Sequence, residues 1–361
     1  MADESRPETS TDADEPRPTA AIDGSTAGTD DRPAVRTDGA PERGLARADG
    51  GTTATRTGGG PGAGDDPGDD PGLLPISAAR RKRLARFVRT FRGNTKAAAG
   101  LLIVLSLFFV AAFAPAIAPY PIDQTNIEDR SEAPSLDHPF GTDDLGRDIF
   151  SRVVMGSRIS LYVGFGSITG ALLVGTLIGI VAGYYGGLVD ELLMRLMDAA
   201  MSFPPILLAL AVMVVLGPDL NNVVLALAFV YTPYIARVCR SAALAERNEA
   251  YVEAATARGE SDARIIGSEV LPNITAPLLV QGSLNVAFAM LAEASLSFLG
   301  LGAQPPTPSW GLMINTGRGF METAPWIVLF PGIAIGITVI GFNMLGDGLR
   351  DVLDPKVDAI E

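Results

Sequence analysis

The chain has 361 residues, and its 28 Lys and Arg against 41 Asp and Glu give a formal net charge of −13. Residues 1–79 hold 16 acidic and 7 basic residues, whereas the rest of the chain holds 25 and 21. An acidic, polar leader joined to an apolar body argues against a single soluble globule. The chain has no basic face of domain size, which argues against a nucleic-acid-binding protein. The chain has one cysteine, Cys239, and one histidine, His138, so it can form neither an internal disulfide nor a Cys/His metal cluster. We expect His138 to lie in a solvated loop.

Residues 1–79 are poor in aromatic and branched apolar side chains and contain runs such as GGGPGAG and DDPGDDP. Such a segment cannot bury enough apolar surface to offset its ordering entropy, so we predict a disordered cytoplasmic tail. A basic block follows, directly before an apolar stretch, which favours the cytoplasmic membrane face over nucleic-acid binding. Its members are Arg80, Arg81, Lys82, Arg83, Arg86, Arg89, Arg92 and Lys96.

Six uncharged stretches then follow along the chain, at 97–118, 159–189, 199–218, 220–236, 270–292 and 323–346. A membrane-spanning helix needs roughly 20 predominantly apolar residues, so each stretch is a candidate span. We therefore predict an all-α, polytopic membrane protein with six transmembrane helices. The glycines of 183–187 indicate the end of the second span, and Pro204 and Pro205 predict a break near the start of the third.

Loop charges predict the orientation. With the N-terminus inside, inner segments carry at least fifteen Lys and Arg, whereas the outer loops carry five. Cytoplasmic loops of membrane proteins carry this excess, so we expect a plasma-membrane protein with both termini cytoplasmic.

The second span has glycines at close intervals, which predicts a flat face where another helix packs closely. These are Gly166, Gly170, Gly175, Gly179 and Gly183.

The inner loop 248–273 is too polar to span a membrane and too patterned to be a slack linker. Residues 249–257 favour a helix, and Gly259 can form its C-cap. Ser261 can form the N-cap of a second helix, and Pro272 is expected to separate that helix from span five. The residues alone predict two short helices across the inner face, bent at Gly259, and leave open whether they do more than connect two spans.

Four motifs in this order resemble the permease subunits of prokaryotic ABC importers, specifically the C-type permease of the dipeptide/oligopeptide family. The inner loop resembles the family's EAA loop through Glu253, Ala254, Ala255, Gly259, Ile266, Leu271 and Pro272. The first outer loop matches through Gly141, Thr142, Asp143, Gly146, Arg147 and Asp148 within PFGTDDLGRD. The third motif is Glu293-Ala294 with LSFLGLG and PSWG, and the fourth is Asp347, Arg350, Asp351, Asp354 and Pro355. Gly348 departs from the pattern, where a stronger helix former is expected.

The resemblance implies the type-1 ABC importer permease fold. It divides the chain into the tail 1–79, a segment 80–157 with the first helix and the long outer loop, and a five-helix permease domain at 158–355. It implies one half of a translocation pathway for dipeptides or oligopeptides, with no cofactor of its own. The implied partners are a homologous second permease, two ATPase subunits docked on loop 248–273, and an extracytoplasmic binding protein. The chain lacks a G-x-x-x-x-G-K-[ST] sequence, in agreement with an external source of energy.

Related importers carry nickel chelates, sugars or glutathione, so these substrates stay open. A second class is a proton-coupled secondary transporter that uses Glu293, because an acid within a span is a functional-site hypothesis by default. Such carriers usually contain several buried acids and an inverted repeat, neither of which is evident here. The motif around Glu293 favours a structural role near the outer end of the pathway. No residue set for catalysis or metal binding is predicted.

Overall fold

The computed structural model describes residues 94–353, which form a bundle of helices with one isolated β-bridge, between Thr142 and Asp148. The predicted tail, residues 80–93 of the basic segment, Asp354 and Pro355 lie outside the described residues. The helices are α1 (Thr95–Ala112), α2 (Ala114–Ile117), α3 (Ile149–Tyr185), α4 (Gly187–Met201), α5 (Pro205–Leu216), α6 (Leu220–Arg247), α7 (Ala250–Ala257), α8 (Asp262–Ile265), α9 (Leu271–Phe298), α10 (Trp310–Gly317) and α11 (Trp326–Leu353).

Five helical segments within the described residues are long and apolar enough to cross a membrane by themselves. They are α1, α3, α6, α11 and the continuous helix Asp262–Phe298 that contains α8 and α9. The helical, polytopic prediction is therefore confirmed. The predicted division between residues 157 and 158 falls inside α3, which begins at Ile149.

The third predicted span, 199–218, is broken near its start, as Pro204 and Pro205 predicted. The chain breaks after Met201 and bends by 90° before α5 begins at Pro205. Pro204 cannot donate a backbone hydrogen bond and stands at the N-cap of α5, so the prolines end one helix and start the next. Residues 199–201 therefore belong to α4, which is amphipathic and has no buried residue.

Close contacts between α3 and α6 show that these two helices run parallel. Gly166 lies against Val224 at one end of the contact, and Gly183 lies against Ala243 at the other. Parallel neighbours in a bilayer require the intervening chain to return to the starting side, so α4 and α5 together complete one further crossing. Residues 94–353 thus cross six times, and α1 begins on the same face as α11 ends. We call this face the terminal face, and the other the opposite face.

The predicted flat face of α3 is the contact surface for α6. A Cβ added at Gly179 would lie 2.5 Å from the Ala236 carbonyl oxygen and 2.5 Å from Cys239 Cβ, and one at Gly175 would lie 2.8 Å from the Thr232 carbonyl oxygen. Real Cβ atoms do not approach so closely, so only glycine permits this separation. Because lipid is as apolar as a helix surface, such close van der Waals packing is a main source of association between membrane helices.

Glycine also explains the departure at position 348. A Cβ at Gly348 would collide with Ala97, near the start of α1, and one at Gly100 would lie 2.5 Å from the Leu345 backbone nitrogen. The antiparallel contact between α1 and α11 therefore requires a missing side chain where a helix former was expected. At this position, close packing between the first and last spans requires glycine, although glycine has a low helix propensity.

Gly179→Ala is expected to destabilise the bundle by about 1–3 kcal/mol, because the new methyl must push α6 away. Gly336→Ala in α11 is the matched control, since a Cβ there meets nothing within 4 Å. The measurement is the midpoint of thermal unfolding of the purified protein in detergent. The Gly179 variant should melt lower than the control, and equal midpoints would contradict the packing argument.

Candidate functional site

The loop predicted to couple the protein to its ATPase lies on the terminal face. Helix α7 covers Ala250–Ala257, and Gly259 follows with a φ of +77°, in the left-handed region that favours glycine. A Cβ added at Gly259 would meet nothing within 4 Å, so backbone conformation rather than space selects glycine there. The predicted helix and the bend at Gly259 are both present.

Helix α7 has an inner and an outer side. Val252 is 2% exposed and Ala255 is fully buried in the chain's own core, whereas Glu253 and Ala254 are exposed. Of the two alanines of the EAA triplet, only Ala254 can therefore contact a partner. Ala255 instead allows the helix to lie close to the spans beneath it.

Tyr251 fixes α7 to the helices on either side of the loop. Its hydroxyl donates to Glu246 Oε2 of α6 at 2.6 Å and accepts from Asn273 Nδ2 of α9 at 2.9 Å. Desolvation raises the pKa of Tyr251 to about 12, and its hydrogen bond to Glu246 acts in the same direction. The hydroxyl therefore keeps its proton at neutral pH and can donate to Glu246.

The second short helix of the loop is not separate from span five, which corrects the sequence prediction. After the N-cap position Ser261, the helix Asp262–Ile265 continues through a π-helical turn, Ile266–Val270, into α9. Pro272 has no backbone N–H to donate, and the π-helical turn directly before it changes the hydrogen-bond pattern, so the helix continues past the proline. The Ser261 side chain makes no capping hydrogen bond.

The hydrophobic residues of this motif are placed differently from one another. Ile266 is partly buried, whereas Leu271 and Pro272 are exposed on the terminal face. The fully buried residues of this segment are Ile265 and Val270, which recur with Ile266 at helical spacing in the sequence.

The motif in the first loop of the opposite face forms a compact turn. Gly141 and Gly146 have φ values of +74° and +72°, and Asp143 Oδ1 accepts from the backbone nitrogens of Leu145 and Arg147. Asp143 Oδ2 also accepts from Arg147 Nε at 2.7 Å. The aspartate thus closes the turn, and the two glycines supply its left-handed positions.

Thr142 and Asp148 attach this turn to the bundle. The Thr142 hydroxyl donates to the Asp129 carbonyl, and the Thr142 carbonyl accepts from Trp326 Nε1 at 3.1 Å, at the start of α11. Asp148 is the N-cap of α3, where its Oδ2 accepts from the Ser151 backbone nitrogen at 2.7 Å. The loop is therefore joined to the first turns of two spans.

His138 is not the solvated loop residue expected from the sequence. It is 8% exposed, its Nδ1 lies 3.0 Å from Asp148 Oδ1, and its ring packs on Tyr120 with centroids 4.8 Å apart. The ten-residue separation from Asp148 gave no sign of this pair, because the turn between them brings the two together. Within the described residues, no three His, Cys, Asp or Glu side chains are grouped so that they could hold a metal ion.

Glu293 is fully buried near the end of α9, facing α3. Its Oε1 accepts from Ser297 Oγ at 2.7 Å, one turn further along α9, and its Oε2 lies 3.5 Å from Ser160 Oγ of α3. A buried carboxyl with hydroxyl partners on two helices is positioned to hold those helices together. Ser160 was not selected from the sequence, where an isolated serine in a span carries no signal.

The C-terminal motif lies at the end of α11 on the terminal face. Asp347, Arg350 and Asp351 are all exposed, and Asp351 Oδ2 accepts from Asn94 Nδ2 at 2.9 Å. Asn94 is itself the N-cap of α1. The motif therefore lies beside the start of the first span, with two charged side chains free to contact solvent or a partner.

Two family models match the chain. Residues 82–134 match the N-terminal TM domain of oligopeptide transport permease C, and residues 175–359 match the binding-protein-dependent transport system inner membrane component. Among solved structures, an inward-facing MetNI methionine ABC transporter has a chain with 19% identity and a TM-score of 0.47, covering 56% of this chain and 97% of its own.

Several relatives resemble the chain over most of its length. A dipeptide transport system permease protein DppC of Alkalihalophilus pseudofirmus is 48% identical over 74% of this chain and 88% of its own. A putative peptide transport system permease of Brucella suis is 46% identical, over 72% and 87%. A glutathione transport system permease GsiD of Pectobacterium atrosepticum is 44% identical, over 74% and 89%. The chain therefore belongs to the binding-protein-dependent transport system inner membrane component family.

Proposed function

We propose that the chain is the permease subunit of an ATP-driven importer for dipeptides or oligopeptides, in the plasma membrane with its terminal face cytoplasmic. A homologous second permease completes the translocation pathway, two ATPase subunits dock on the terminal face, and an extracytoplasmic binding protein delivers the substrate. Loop charge supports this orientation, because the terminal face carries most of the Lys and Arg residues. The names of two of the relatives above support a peptide substrate.

The observation that carries the proposal is the geometry of α7. The helix presents Glu253 and Ala254 outward, yet Val252 and Ala255 bury its other side and Tyr251 bridges α6 and α9. A flexible connector would not be anchored in this way. A helix with an open outer side and a fixed inner side is suited to receive a push from a partner and pass it to the spans.

Substrate class is tested by reconstituting the permease with its partner subunits in proteoliposomes and measuring ATP-dependent uptake of a labelled dipeptide. Glutathione serves as the competitor, since one relative is a glutathione transport system permease. We expect uptake that requires ATP and the binding protein and that excess dipeptide blocks more strongly than excess glutathione. Stronger inhibition by glutathione would replace the peptide assignment without changing the importer assignment.

Glu253→Lys is expected to lower recovery of the ATPase subunits several-fold on co-purification, because it reverses the charge that α7 presents to a partner. Glu322→Lys is the matched control, an exposed glutamate on the opposite face. Both permeases should insert at normal levels. Full ATPase recovery with the Glu253 variant would remove α7 as the docking element.

Gly259→Ala is expected to impair ATP-driven uptake while leaving insertion normal. An L-residue in the left-handed conformation costs about 1–2 kcal/mol, and relief of that strain changes the path of the chain after α7. Gly267→Ala is the control, because both positions have open space around an added Cβ and only Gly259 has a positive φ. Equal uptake by the two variants would show that the bend is dispensable.

Glu293→Gln distinguishes an importer from a proton-coupled carrier. The amide keeps an oxygen that can accept from Ser297 and a nitrogen that can donate to Ser160, so a structural role predicts near-normal uptake. A proton relay requires an ionisable group, so that mechanism predicts complete loss. We expect Glu293→Gln to transport and Glu293→Ala to be unstable, whereas an inactive but stable Gln variant would favour proton coupling.

A further inference from the structure

The terminal-face loop has a contact outside its own flanking helices. Near the end of α3, the Tyr184 hydroxyl donates to Asp262 Oδ1 at 3.1 Å, and Asp262 is the first residue of the continuous helix that becomes α9. The two residues are separated by 78 positions, so the contact is tertiary. Tyr184 is 9% exposed, which holds its ring in one place.

We propose that the Tyr184–Asp262 hydrogen bond is a positioning contact through which a displacement of α7 reaches α3, and through α3 the loop of the opposite face. This inference rests on the proposed function. Tyr184 and Asp262 bind neither substrate nor nucleotide in this account. They connect the loop pushed by the ATPase to a span that does not adjoin that loop in sequence.

The first support is that α3 and α9 are joined at two widely separated points. At the terminal face the contact is Tyr184–Asp262, and towards the opposite face it is Ser160–Glu293. Between them, a Cβ at Gly282 would lie 3.1 Å from Leu172 Cδ1, so the two helices also touch closely in their middle. Two helices fixed at both ends in this way cannot tilt independently.

The second support is that the end of α3 is tightly packed just beside Tyr184. A Cβ at Gly183 would lie 2.6 Å from the Arg240 carbonyl oxygen and 2.9 Å from Ala243 Cβ of α6. The position of Tyr184 is therefore set by backbone contact with α6. A displacement of Asp262 consequently moves α3 and α6 together, because the backbone beside Tyr184 is packed against α6.

The third support is that α3 reaches the opposite face without interruption. The helix has 37 residues, and its length of roughly 55 Å at about 1.5 Å per residue exceeds the thickness of a bilayer core. At its far end, Asp148 caps the first turn and binds His138 of the opposite-face loop. One rigid helix thus carries the Tyr184 contact at one end and this loop at the other.

Tyr184→Phe removes only the donating hydroxyl, and Tyr185→Phe is the matched control. Tyr185 is adjacent, half exposed, and its hydroxyl has no hydrogen-bond partner within residues 94–353. The readout is the number of dipeptides imported per ATP hydrolysed by the reconstituted complex. We expect Tyr184→Phe to lower this ratio roughly fivefold, the lower end of the range typical of coupling between sites, with ATP hydrolysis retained.

Asp262→Asn and Asp262→Ala provide a second, independent pair. Asparagine keeps an oxygen that can accept from Tyr184, so the ratio should stay near the wild-type value, whereas alanine should reproduce the Tyr184→Phe defect. In Tyr184→Phe/Asp262→Ala, the two effects should not add, because both remove the same bond. A purely structural role would lower the amount of folded permease and leave the ratio unchanged.

The inference is overturned if Tyr184→Phe and Tyr185→Phe give equal ratios, or if Asp262→Asn and Asp262→Ala do. Should Tyr184→Phe fail to insert, the Asp262 pair decides alone. Absence of ATP-driven dipeptide uptake by the wild-type complex would instead count against the proposed substrate or function, so the two failures are distinguishable.

Discussion

The close approach of α3 and α6 is the constraint on which the rest of the structure depends. Glycines at positions 175, 179 and 183 place the backbone of α3 against the backbone of α6, at distances that no other residue permits. Because the two helices run parallel, the chain between them must return across the membrane, and the broken pair α4 and α5 makes that crossing. Packing of one helix face thereby determines the number of crossings and the face on which each loop lies.

The same contact gives α3 its mechanical role. Sliding α3 along α6 would move its glycines out of register with the α6 backbone that they contact, so relative movement is opposed by steric overlap. Polar contacts complete the attachment of α3, since Ser160 approaches Glu293 and Tyr184 donates to Asp262 on the neighbouring helix α9. Ser160 and Glu293 are buried in the bundle, where the Ser160 hydroxyl has few alternative partners, which favours a single arrangement. We therefore expect α3 to move as a rigid helix together with α6 and α9, which it contacts near both ends.

Much of the fold followed from the sequence because membranes impose simple requirements. Uncharged length predicted the spans, and the glycines of 183–187 and the prolines at 204 and 205 predicted two of the breaks. The bend at Gly259 followed from conformational preference alone. The inner loop was predicted less well after that point, because a π-helical turn, Ile266–Val270, lets the helix continue past Pro272.

The tertiary contacts of individual residues could not be predicted from the sequence. His138 is buried against Asp148, Ala255 faces inward, and Tyr184 reaches Asp262, and none of these follows from spacing along the chain. Gly348 looked like a departure from its motif until the contact with Ala97 explained it. The His138–Asp148 pair depends on the turn between the two residues, and the other cases depend on which helices are neighbours in the packed bundle.

The most direct measurement of the central claim is the distance between spin labels on α3 and α6 as the ATPase cycle proceeds. Labels at Leu173 and Leu244, both exposed, would be introduced in a Cys239→Ala background and measured by double electron–electron resonance in the assembled complex. If α3 and α6 move as one unit, the distance distribution stays the same in the nucleotide-free and ATP-bound states. A shift between those states would show that the two helices slide or separate, and would contradict the account.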